Sequence, residues 1–441
     1  MQRQGRRAKI SWLLWCWLIA PALPAQSPAN SATPSLTLAE VFHVLRIGNP
    51  RLEAARQMAV AADARIKPVS TLADPQIQFG AMNRNLPGFG LQNPLGMNQV
   101  QLMQMVPIAG QLGLAGRAAA AQATAARARA ADVEWELRAR VAIAFYEIYQ
   151  LDRTIEVNTA TQLLLRDIAT TARTMYSVGR GRQADVLRAS IEIDRMSEEI
   201  ARMRSMREAA AARLNGLLDR PAETAVPTPA LPRFPQALAP GDSLERAALV
   251  GRPLLTAGEA DVTAAVAAER RARREIWPDL QVGTIYGQRP MAGGTDRMVS
   301  LMLGFSVPIW AGRRQFEMRR ETEAMRLAAE AELRGLRADT RGRLGELAAM
   351  VRRSRALRDL YTTSILPQAE ATVNAALSAY QAGEVDLPML LDARMTVNRY
   401  RQQLFQLDAD EGTALAELEM LLGQPLFDPA VTEPVQPPGA R

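Results

Sequence analysis

The sequence between 277 and 312 alternates apolar positions with small or polar ones more regularly than any other stretch of the chain. From Met298 onward, every second residue is apolar, and these residues are Val299, Leu301, Leu303, Phe305 and Val307. The intervening positions hold Ser300, Met302, Gly304 and Ser306. A period of two places successive side chains on opposite faces of a sheet. The pattern therefore predicts a strand with one apolar face.

A second run of the same kind precedes this strand and predicts a β-hairpin. Its alternating residues are Leu280, Val282, Thr284 and Tyr286, and the turn-rich segment 288–296 separates the two runs. The first half of the chain has two further predicted strands, at 74–82 and 98–106, with a loop between them at 86–96. The flanking sequence is helical, so the apolar face of the hairpin needs a neighbour other than a second sheet. Lipid is the neighbour that such a face fits.

Long helices are predicted for most of the remaining sequence. The segment from Gly110 to about Met175 contains no proline, and as one helix it would be roughly 100 Å long at 1.5 Å per residue. The glycine-rich turn 178–182 ends this helix, and another runs from the turn to Leu218. A helix of this length attached to a sheet fragment predicts part of a tube.

The second half of the chain repeats the first half at an offset of 202 to 204 positions. The matched landmarks are Pro50 with Pro253, Pro75 with Pro278, Gly110 with Gly312, Gly179 with Gly383, and Leu218 with Leu422. Register kept over such a length indicates a tandem duplication. Each unit is predicted to contain an ascending helix, a hairpin, a long descending helix, a tight turn and a returning helix. Leu366 and Pro367 predict an interruption of the second descending helix.

These landmarks divide the chain into six predicted segments. They are a signal peptide at 1–25, a linker at 26–35, the first repeat at 36–219, a proline-rich linker at 220–242, the second repeat at 243–423 and a disordered tail at 424–441. The two hairpins supply four strands, whereas membrane barrels begin at about eight, and open edges are not tolerated in lipid. Two copies of the chain would supply eight strands and three copies would supply twelve.

The first 25 residues have the layout of a secretory signal peptide. A basic start precedes an apolar run at 10–20, and we expect cleavage after Ala25, with Ala29 as the alternative. The apolar run is about half the roughly 20 residues that span a bilayer. After Ala25 no stretch is apolar enough for a membrane helix, so we expect an exported chain whose hairpins lie in an outer membrane.

Charge and residue usage argue against nucleic-acid binding and catalysis. Four of the 53 basic residues and none of the 46 acidic residues lie in the first 25, so the rest of the chain carries only +3. Cys16, the sole cysteine, lies in the predicted signal peptide, and lysine occurs only at positions 9 and 67. The one histidine, His43, lies on an amphipathic helix, where a packed or exposed role is favoured over a catalytic triad. We therefore predict no enzyme, no cofactor and no metal-binding cluster.

Methionines are frequent in or near the predicted strands. They are Met97, Met103, Met105, Met298 and Met302. Thioether sulfurs admit a copper-binding interpretation, but methionine is also a common filler of irregular apolar space. The sequence favours the filler role.

Several short motifs resemble those of one known family, the TolC-like outer-membrane efflux channels. The motifs are Asp-Pro at 74–75, Pro-Ile-Ala-Gly at 107–110, Ile-Trp-Pro at 276–278, Pro-Ile-Trp-Ala-Gly at 308–312, Ile-Leu-Pro-Gln at 365–368, Ala-Tyr-Gln-Ala-Gly at 379–383 and Leu-Glu-Met-Leu-Leu-Gly at 418–423. Their order and duplication carry the resemblance, which extends from about Leu36 to Gly423. Residues 72–75 together with 106–112 look most like the branch of the family that serves heavy-metal exporters.

The resemblance implies a mainly α-helical protein with a membrane β-barrel, built as a homotrimer. Each protomer would give four strands to a twelve-stranded barrel, and the helices would form a long periplasmic α-helical barrel with a closable end. The expected place is the outer membrane of a Gram-negative bacterium, in contact with its lipid. The expected partners are a periplasmic adaptor protein and an inner-membrane pump of the RND type.

The resemblance also assigns roles to residues at the two helix turns. The positions that match the periplasmic tip and its adaptor-docking surface are Gly179, Gly181, Asp185, Gly383 and Asp386, and those that match the gate or constriction are Tyr380 and Asp392. Val385 and Met389 depart from the family pattern, which has an arginine and a further acid there. Glycines at these places are equally explained as C-caps that end a helix in the left-handed conformation.

Two tryptophans, Trp277 and Trp310, flank the second hairpin and predict an interfacial aromatic belt. The alternative is that they are ordinary core residues.

Three functions fit these observations to different degrees. The first is the exit duct of a tripartite efflux system, conducting small molecules or metal ions passively to the outside. The second uses the same fold as the exit duct of a type I protein-secretion system. The third is a periplasmic coiled-coil scaffold or adhesin, which predicts continuous heptads and no lipid-facing hairpins.

Overall fold

The chain forms two copies of one arrangement of helices and strands, in a computed structural model that describes residues 35–83, 96–291 and 293–432. The first copy contains α1 (Leu38–Gly48), α2 (Pro50–Ser70), β1 (Gln76–Met82), β2 (Met97–Val106), α3 (Gln111–Ser177) and α4 (Gln183–Leu217). The second contains α5 (Gly241–Gly251), α6 (Pro253–Arg274), β3 (Leu280–Met291), β4 (Gly294–Phe305), α7 (Gln315–Leu360), a π-helical turn (Tyr361–Ile365), α8 (Leu366–Ala382) and α9 (Leu387–Leu422). The predicted signal peptide, nearly all of the 26–35 linker and the tail beyond 432 lie outside the described residues.

Capping residues explain why the first helical segment is two helices rather than one. Thr37 and Glu40 form a capping box at the start of α1, each side chain accepting a hydrogen bond from the backbone amide of the other. Asn49 caps α2 by accepting a hydrogen bond from the amide of Leu52, and Pro50 occupies the first position of the helix. Proline is favoured there because its missing amide would be unpaired in any case.

Helix α3 is the longest element of the described chain and confirms the predicted long helix. Its 67 residues span about 100 Å at 1.5 Å per residue. It runs from the sheet to the far end of the helices, and α2, α4, α6 and α9 all pack against it. The four strands and the turns between the long helices therefore lie at opposite ends of the molecule.

The predicted interruption of the second descending helix is a π-helical turn at Tyr361–Ile365, directly before Leu366 and Pro367, and the helix continues beyond it. The chain keeps helical backbone angles through the π-helical turn and into α8, where Pro367 is the second residue. The amide of Leu366 donates to the carbonyl of Tyr361, five residues earlier. Proline has no amide for the usual bond four residues back. The wider π-helical turn before Pro367 lets the helix continue although this hydrogen bond is missing.

The four strands form one antiparallel sheet in the order β1-β2-β3-β4. The two hairpins are joined through β2 and β3, which pair from Asn98 opposite Gln288 to Val106 opposite Leu280. Strands β1 and β4 are its edges, and neither pairs with another strand on its outer side among the described residues. One chain thus supplies an open sheet of four strands.

The proline-rich segment 220–242 packs on the helices halfway between the sheet and the turns. Its Ala230 and Leu231 are buried, and the amide of Ala230 donates to the carbonyl of Leu36. Arg355 in α7 donates to the carbonyls of Pro235 and Gln236 at 2.6 and 2.9 Å. These contacts make the segment a strap across the helices.

Arg355 also belongs to a buried ionic cluster that fixes α7 to α9. Glu411 is almost fully buried and accepts hydrogen bonds from both Arg355 and Arg358. A buried carboxylate is costly unless it is paired, and because two arginines pair with Glu411, only the loss of both would leave its charge uncompensated. The cluster therefore couples the strap, α7 and α9 in one place.

The start of the predicted disordered tail differs from the structure. Residues 424–432 are packed: the ring of Phe427 lies 5.8 Å from that of Phe234, and the amide of Arg233 donates to the carbonyl of Val431. Leu426 and Phe427 are apolar, and burying them against the strap stabilises a segment that has no secondary structure of its own.

In each repeat, the short first helix ends at a glycine that lies against the end of the returning helix. Gly48 of α1 lies against the end of α4, and Gly251 of α5 lies against the end of α9. A Cβ built on Gly48 would lie 3.7 Å from the carbonyl oxygen of Leu218, an ordinary contact. A Cβ on Gly251, the equivalent residue, would lie only 2.3 Å from the carbonyl oxygen of Leu422. The second junction is therefore too tight for any other residue, whereas the first has space for one.

The duplication supplies a matched test of this difference. We expect Gly251→Ala to destabilise the purified protein by about 1–3 kcal/mol, because the new methyl group overlaps a backbone atom that has little freedom to move. Gly48→Ala should be close to neutral. The midpoint of thermal unfolding followed by circular dichroism measures both, and equal midpoints for the two variants would contradict the tight junction.

Candidate functional site

One face of the sheet has exposed apolar side chains on all four strands, and we call it the lipid face after its predicted neighbour. The strand register aligns Ile77, Leu102, Thr284 and Leu301 in one row and Phe79, Val100, Tyr286 and Val299 in the next. Leu301 is 83% exposed, Phe79 81% and Leu303 72%. Burying one such side chain is worth about 1.5–3 kcal/mol. No element of the described chain covers this face, so it needs an apolar neighbour from outside.

The predicted apolar residues of the second hairpin all have exposed side chains in the structure. They are Val299, Leu301, Leu303, Phe305 and Val307. Trp277 and Trp310 are also exposed, at the end of the sheet where the helices begin. They are not core residues of this chain, which leaves the interfacial belt as their predicted role.

The opposite face, which we call the inner face, combines glutamines, methionines and glycines. Away from the hairpin turn, its glycines are Gly80, Gly283, Gly287 and Gly304. A Cβ at Gly80 would lie 3.0 Å from the side chain of Gln99, and one at Gly287 would lie 2.7 Å from the sulfur of Met97. Neighbouring side chains thus occupy the space beside the inner glycines. Such close packing is typical of the concave side of a curved sheet, where glycines are frequent.

At the far end of the helices, two turns close the helical hairpins, and together we call them the tip (residues 178–182 and 383–386). Gly179 and Gly383 both have left-handed backbone angles, with φ of +76° and +81°. In each turn the next amide, of Arg180 or Glu384, donates back to the carbonyl five residues earlier at 2.9 Å. This is the Schellman arrangement that ends a helix at glycine.

Gly181 is needed for a different reason. A Cβ there would lie 2.9 Å from the backbone nitrogen of Tyr176, so the chain turns back on itself too closely for a side chain. Around the Cβ positions of Gly179 and Gly383, in contrast, nothing lies within 4 Å. The surface at these two glycines is therefore backbone open to the surroundings.

Polar contacts connect the two turns of the tip. Arg182 of the first turn lies 3.8 Å from the carboxylate of Asp386, the residue that precedes α9. Tyr380 is only 6% exposed and packs among the buried residues Leu165, Ala189 and Leu387. Burial raises the pKa of the Tyr380 hydroxyl, and the nearby Asp185 raises it further. Asp185, in the first turn of α4, and Tyr380 are thus brought together by the fold, although they lie in different repeats.

The remaining candidate, Asp392, lies apart from this cluster. It lines a groove between α8 and α9 together with Val385 and Met389, the two positions that depart from the family pattern. Ala375 and Ala379 of α8 form the opposite wall. Asp392 and Met389 are exposed in the groove, whereas Val385 packs partly against the buried residues of the tip.

Arg182 is a contact residue of the tip that the sequence did not predict. Its partner, Asp386, is 204 positions away in the sequence.

The described part of the chain contains neither a cluster of metal ligands nor a helix that could cross a membrane. Among residues 35–83, 96–291 and 293–432, no three His, Cys, Asp or Glu side chains lie close enough together to hold a metal ion. In those same ranges, no helix combines the length and apolar character needed to cross a bilayer.

Comparison with known proteins identifies the family. The family model described as outer membrane efflux protein matches the chain over residues 41–220 and 244–424. The chain belongs to this family. The resemblance to TolC-like channels is therefore confirmed. The protein lies in the outer membrane of a Gram-negative bacterium, and its helices extend into the periplasm. The family consists of passive channels rather than enzymes. Among curated protein sequences, none matches the chain significantly.

Solved structures of outer-membrane channels have the same fold. The channel CusC aligns with a TM-score of 0.76 at 16% identity, covering 89% of this chain and 93% of its own. VceC from Vibrio cholerae aligns with 0.75 at 16% identity, covering 88% and 96%. CmeC from Campylobacter jejuni aligns with 0.74 at 12% identity, covering 93% and 92%. These matches show the fold, and membership of the family makes the chain an outer-membrane efflux duct. The scaffold or adhesin alternative, which predicted no lipid-facing hairpins, does not agree with this family.

The lipid face predicts how single charges affect membrane assembly. We expect Leu303→Arg to block assembly into the outer membrane, because an arginine facing lipid near the midplane costs roughly 2–4 kcal/mol per copy. Ser300→Arg, on the inner face of the same strand, should be tolerated. Heat-resistant oligomer in isolated outer membranes, detected on gels, measures assembly. Equal assembly of the two variants would show that the faces are assigned the wrong way round.

Proposed function

We propose that the protein is the exit duct of a tripartite efflux system and passively conducts small molecules or metal ions to the outside. Its partners would be a periplasmic adaptor and an inner-membrane pump of the RND type. The observation that carries the proposal is the continuous connection between a sheet with an uncovered lipid face and helices about 100 Å long. Such a protomer is a wall segment of a tube.

The edges of the sheet support assembly of the protomers into a closed barrel. Strands β1 and β4 each present a row of backbone amides and carbonyls, and in lipid each unpaired group costs several kcal/mol. Pairing β1 of one protomer with β4 of the next satisfies both edges at once. Strand number allows a dimer with eight strands or a trimer with twelve. We favour the trimer because the resemblance to TolC-like channels implies it.

The tip supports a role in docking and in closing the channel. At Gly179 and Gly383 the backbone is open, so a helical hairpin of an adaptor could approach it closely. In a trimer these turns would form a ring of six. Asp392 would recur three times around the closed end, where like charges attract cations and repel one another. Asp185 in α4 and Tyr380 in α8 would contribute to packing between the two helical hairpins of each protomer.

The proposal is tested first on the purified protein. Native mass spectrometry of the detergent-solubilised protein should give three copies, and reconstitution into planar bilayers should give a steady ionic conductance. A stable folded monomer, or bilayers without conductance, would contradict an exit duct. In cells, deletion of the gene should abolish small-molecule or metal efflux, whereas loss of a secreted protein with unchanged efflux would favour the protein-secretion alternative.

The docking surface at the tip is tested with two substitutions of the same glycine. We expect Gly383→Trp to abolish export while assembly and conductance in bilayers persist, because the indole would occupy the space that the partner's hairpin needs. Gly383→Asn is the control, since asparagine adopts the left-handed conformation and adds little bulk. Export by complemented deletion strains measures both. Normal export by the tryptophan variant would limit Gly383 to its capping role.

A further inference from the structure

Two connections join the second hairpin to its helices, and they run side by side at the end of the sheet. The first, 275–279, leads from α6 to β3, and the second, 306–314, leads from β4 to α7. The amide of Ser306 donates to the carbonyl of Asp279 at 3.1 Å, and the hydroxyl of Ser306 accepts from the amide of Asp279 at 3.0 Å. These bonds hold both connections at one height, where the sheet ends and the helices begin.

Exposed apolar side chains continue from the lipid face along these connections. Val307, Ile309 and Trp310 are exposed on the second connection, and Trp277 is exposed on the first. Indole rings are enriched at the boundary between the hydrocarbon core of a bilayer and its headgroups. The two tryptophans therefore mark the height of the headgroups in the leaflet from which the helices emerge.

Three arginines lie within one turn of these tryptophans. The amide of Trp277 donates to the carbonyl of Arg274 at 3.1 Å. The amides of Arg313 and Arg314 donate to the carbonyl of Trp310 at 3.0 and 3.1 Å. The side chains of all three arginines are exposed. Long basic side chains beside an apolar surface extend their charged ends toward the headgroups, so these guanidinium groups are at the height of lipid phosphates.

The charges of these three arginines are not compensated within the chain. Neighbouring arginines on α6 and α7 have acidic partners, and these pairs are Arg271 with Glu275, Arg273 and Arg326 with Glu269, and Arg320 with Glu317. In the part of the chain that the structure describes, Arg274, Arg313 and Arg314 form no ion pair. Their guanidinium groups are therefore available to an anion from outside the chain.

The first repeat lacks this cluster at the equivalent positions. Residues 270–279 and 306–320 contain eight arginines and three acidic residues, a net charge of +5. The equivalent residues, 67–76 and 104–118, contain two basic residues and one acidic residue, a net charge of +1. Asp74 and Ile108 take the places of the two tryptophans. Solvation of helix ends would be needed equally in both repeats, so the one-sided cluster indicates a binding surface.

We propose that Arg274, Arg313 and Arg314 bind the phosphate groups of anionic phospholipids in the leaflet from which the helices emerge. A guanidinium group donates two parallel hydrogen bonds to phosphate oxygens, which suits it to this role. The acyl chains of the same lipid would lie along the exposed residues from Val307 to Trp310, continuous with the lipid face. The inference concerns the contact with the membrane and does not depend on what the duct conducts.

The test compares two sets of arginine-to-glutamine substitutions in the full-length protein. The first set is Arg274→Gln, Arg313→Gln and Arg314→Gln. The matched control replaces three exposed arginines of α3 and α4 that also form no ion pair in the described chain, Arg173, Arg188 and Arg204, by glutamine. Both sets remove the same charge from exposed positions, and only the first removes it beside the sheet.

Lipid binding is measured by tryptophan fluorescence after reconstitution into bilayers of phosphatidylglycerol and phosphatidylcholine. One of the two lipids carries brominated acyl chains, which quench a tryptophan that they touch. The quenching of Trp277 and Trp310 therefore gives the relative affinity of the two lipids at the end of the sheet. Trp135 lies far along α3 from the sheet and contributes a constant background.

The wild-type protein and the control set should prefer phosphatidylglycerol roughly fivefold, the gain expected for one charge beside basic residues. In the first set the preference should disappear. A preference that survives in the first set, or that falls equally in both sets, would overturn the lipid site. Loss of the wild-type preference on addition of glycerol phosphate would identify a site for soluble phosphates and overturn it as well. Potassium conductance of the same three proteins should be equal, and its absence in the wild type would contradict the exit duct alone.

Discussion

The backbone groups at the two edges of the sheet set the constraint on which the rest of the structure depends. A strand in lipid has no water to satisfy its amides and carbonyls, so an open sheet of four strands is not a finished membrane structure. In the assembly that we propose, strands β1 and β4 are completed by other copies of the chain. When several copies surround one axis, the helices that leave their sheets surround the same axis. Pairing of the sheet edges therefore also arranges the helices as a tube.

The fold was largely predictable because its signals are periodic. The alternation from Val299 to Val307 predicted the uncovered apolar face of the sheet, the proline-free run after Gly110 predicted the long helix α3, and the duplication predicted the order of elements. Three features carry no periodic signal, namely the packing of the strap 220–242, the ordered start of the tail at 424–432 and the π-helical turn. Their positions depend on side chains from distant segments, such as Phe234 against Phe427, and on how the helix accommodates Pro367.

The candidate site was predictable only in part, for the same reason. Gly179, Gly383 and Asp386 were assigned to the tip through the resemblance to the family, and the structure places all three at helix ends. The contact of Arg182 with Asp386 and the approach of Asp185 to Tyr380 join the two repeats and appear only in three dimensions. The neighbours of the inner-face glycines are a similar case. Which side chains lie beside Gly283 or Gly287 depends on the register of three strands, and the sequence defines the alternation within each strand but not that register.

The late start of α7 has a consequence for the lengths of the two repeats. Between the glycine that follows the sheet and the glycine of the tip, the first repeat runs from Gly110 to Gly179 and the second from Gly312 to Gly383, two residues more. Helix α3 begins one residue after Gly110, whereas α7 begins three residues after Gly312, so both additional residues lie before the helix. In a regular helix two additional residues would displace the second turn by about 3 Å. Because they lie outside it, the two descending helices have the same number of residues up to the tip glycine, and the two turns of the tip end close enough for Arg182 to reach Asp386.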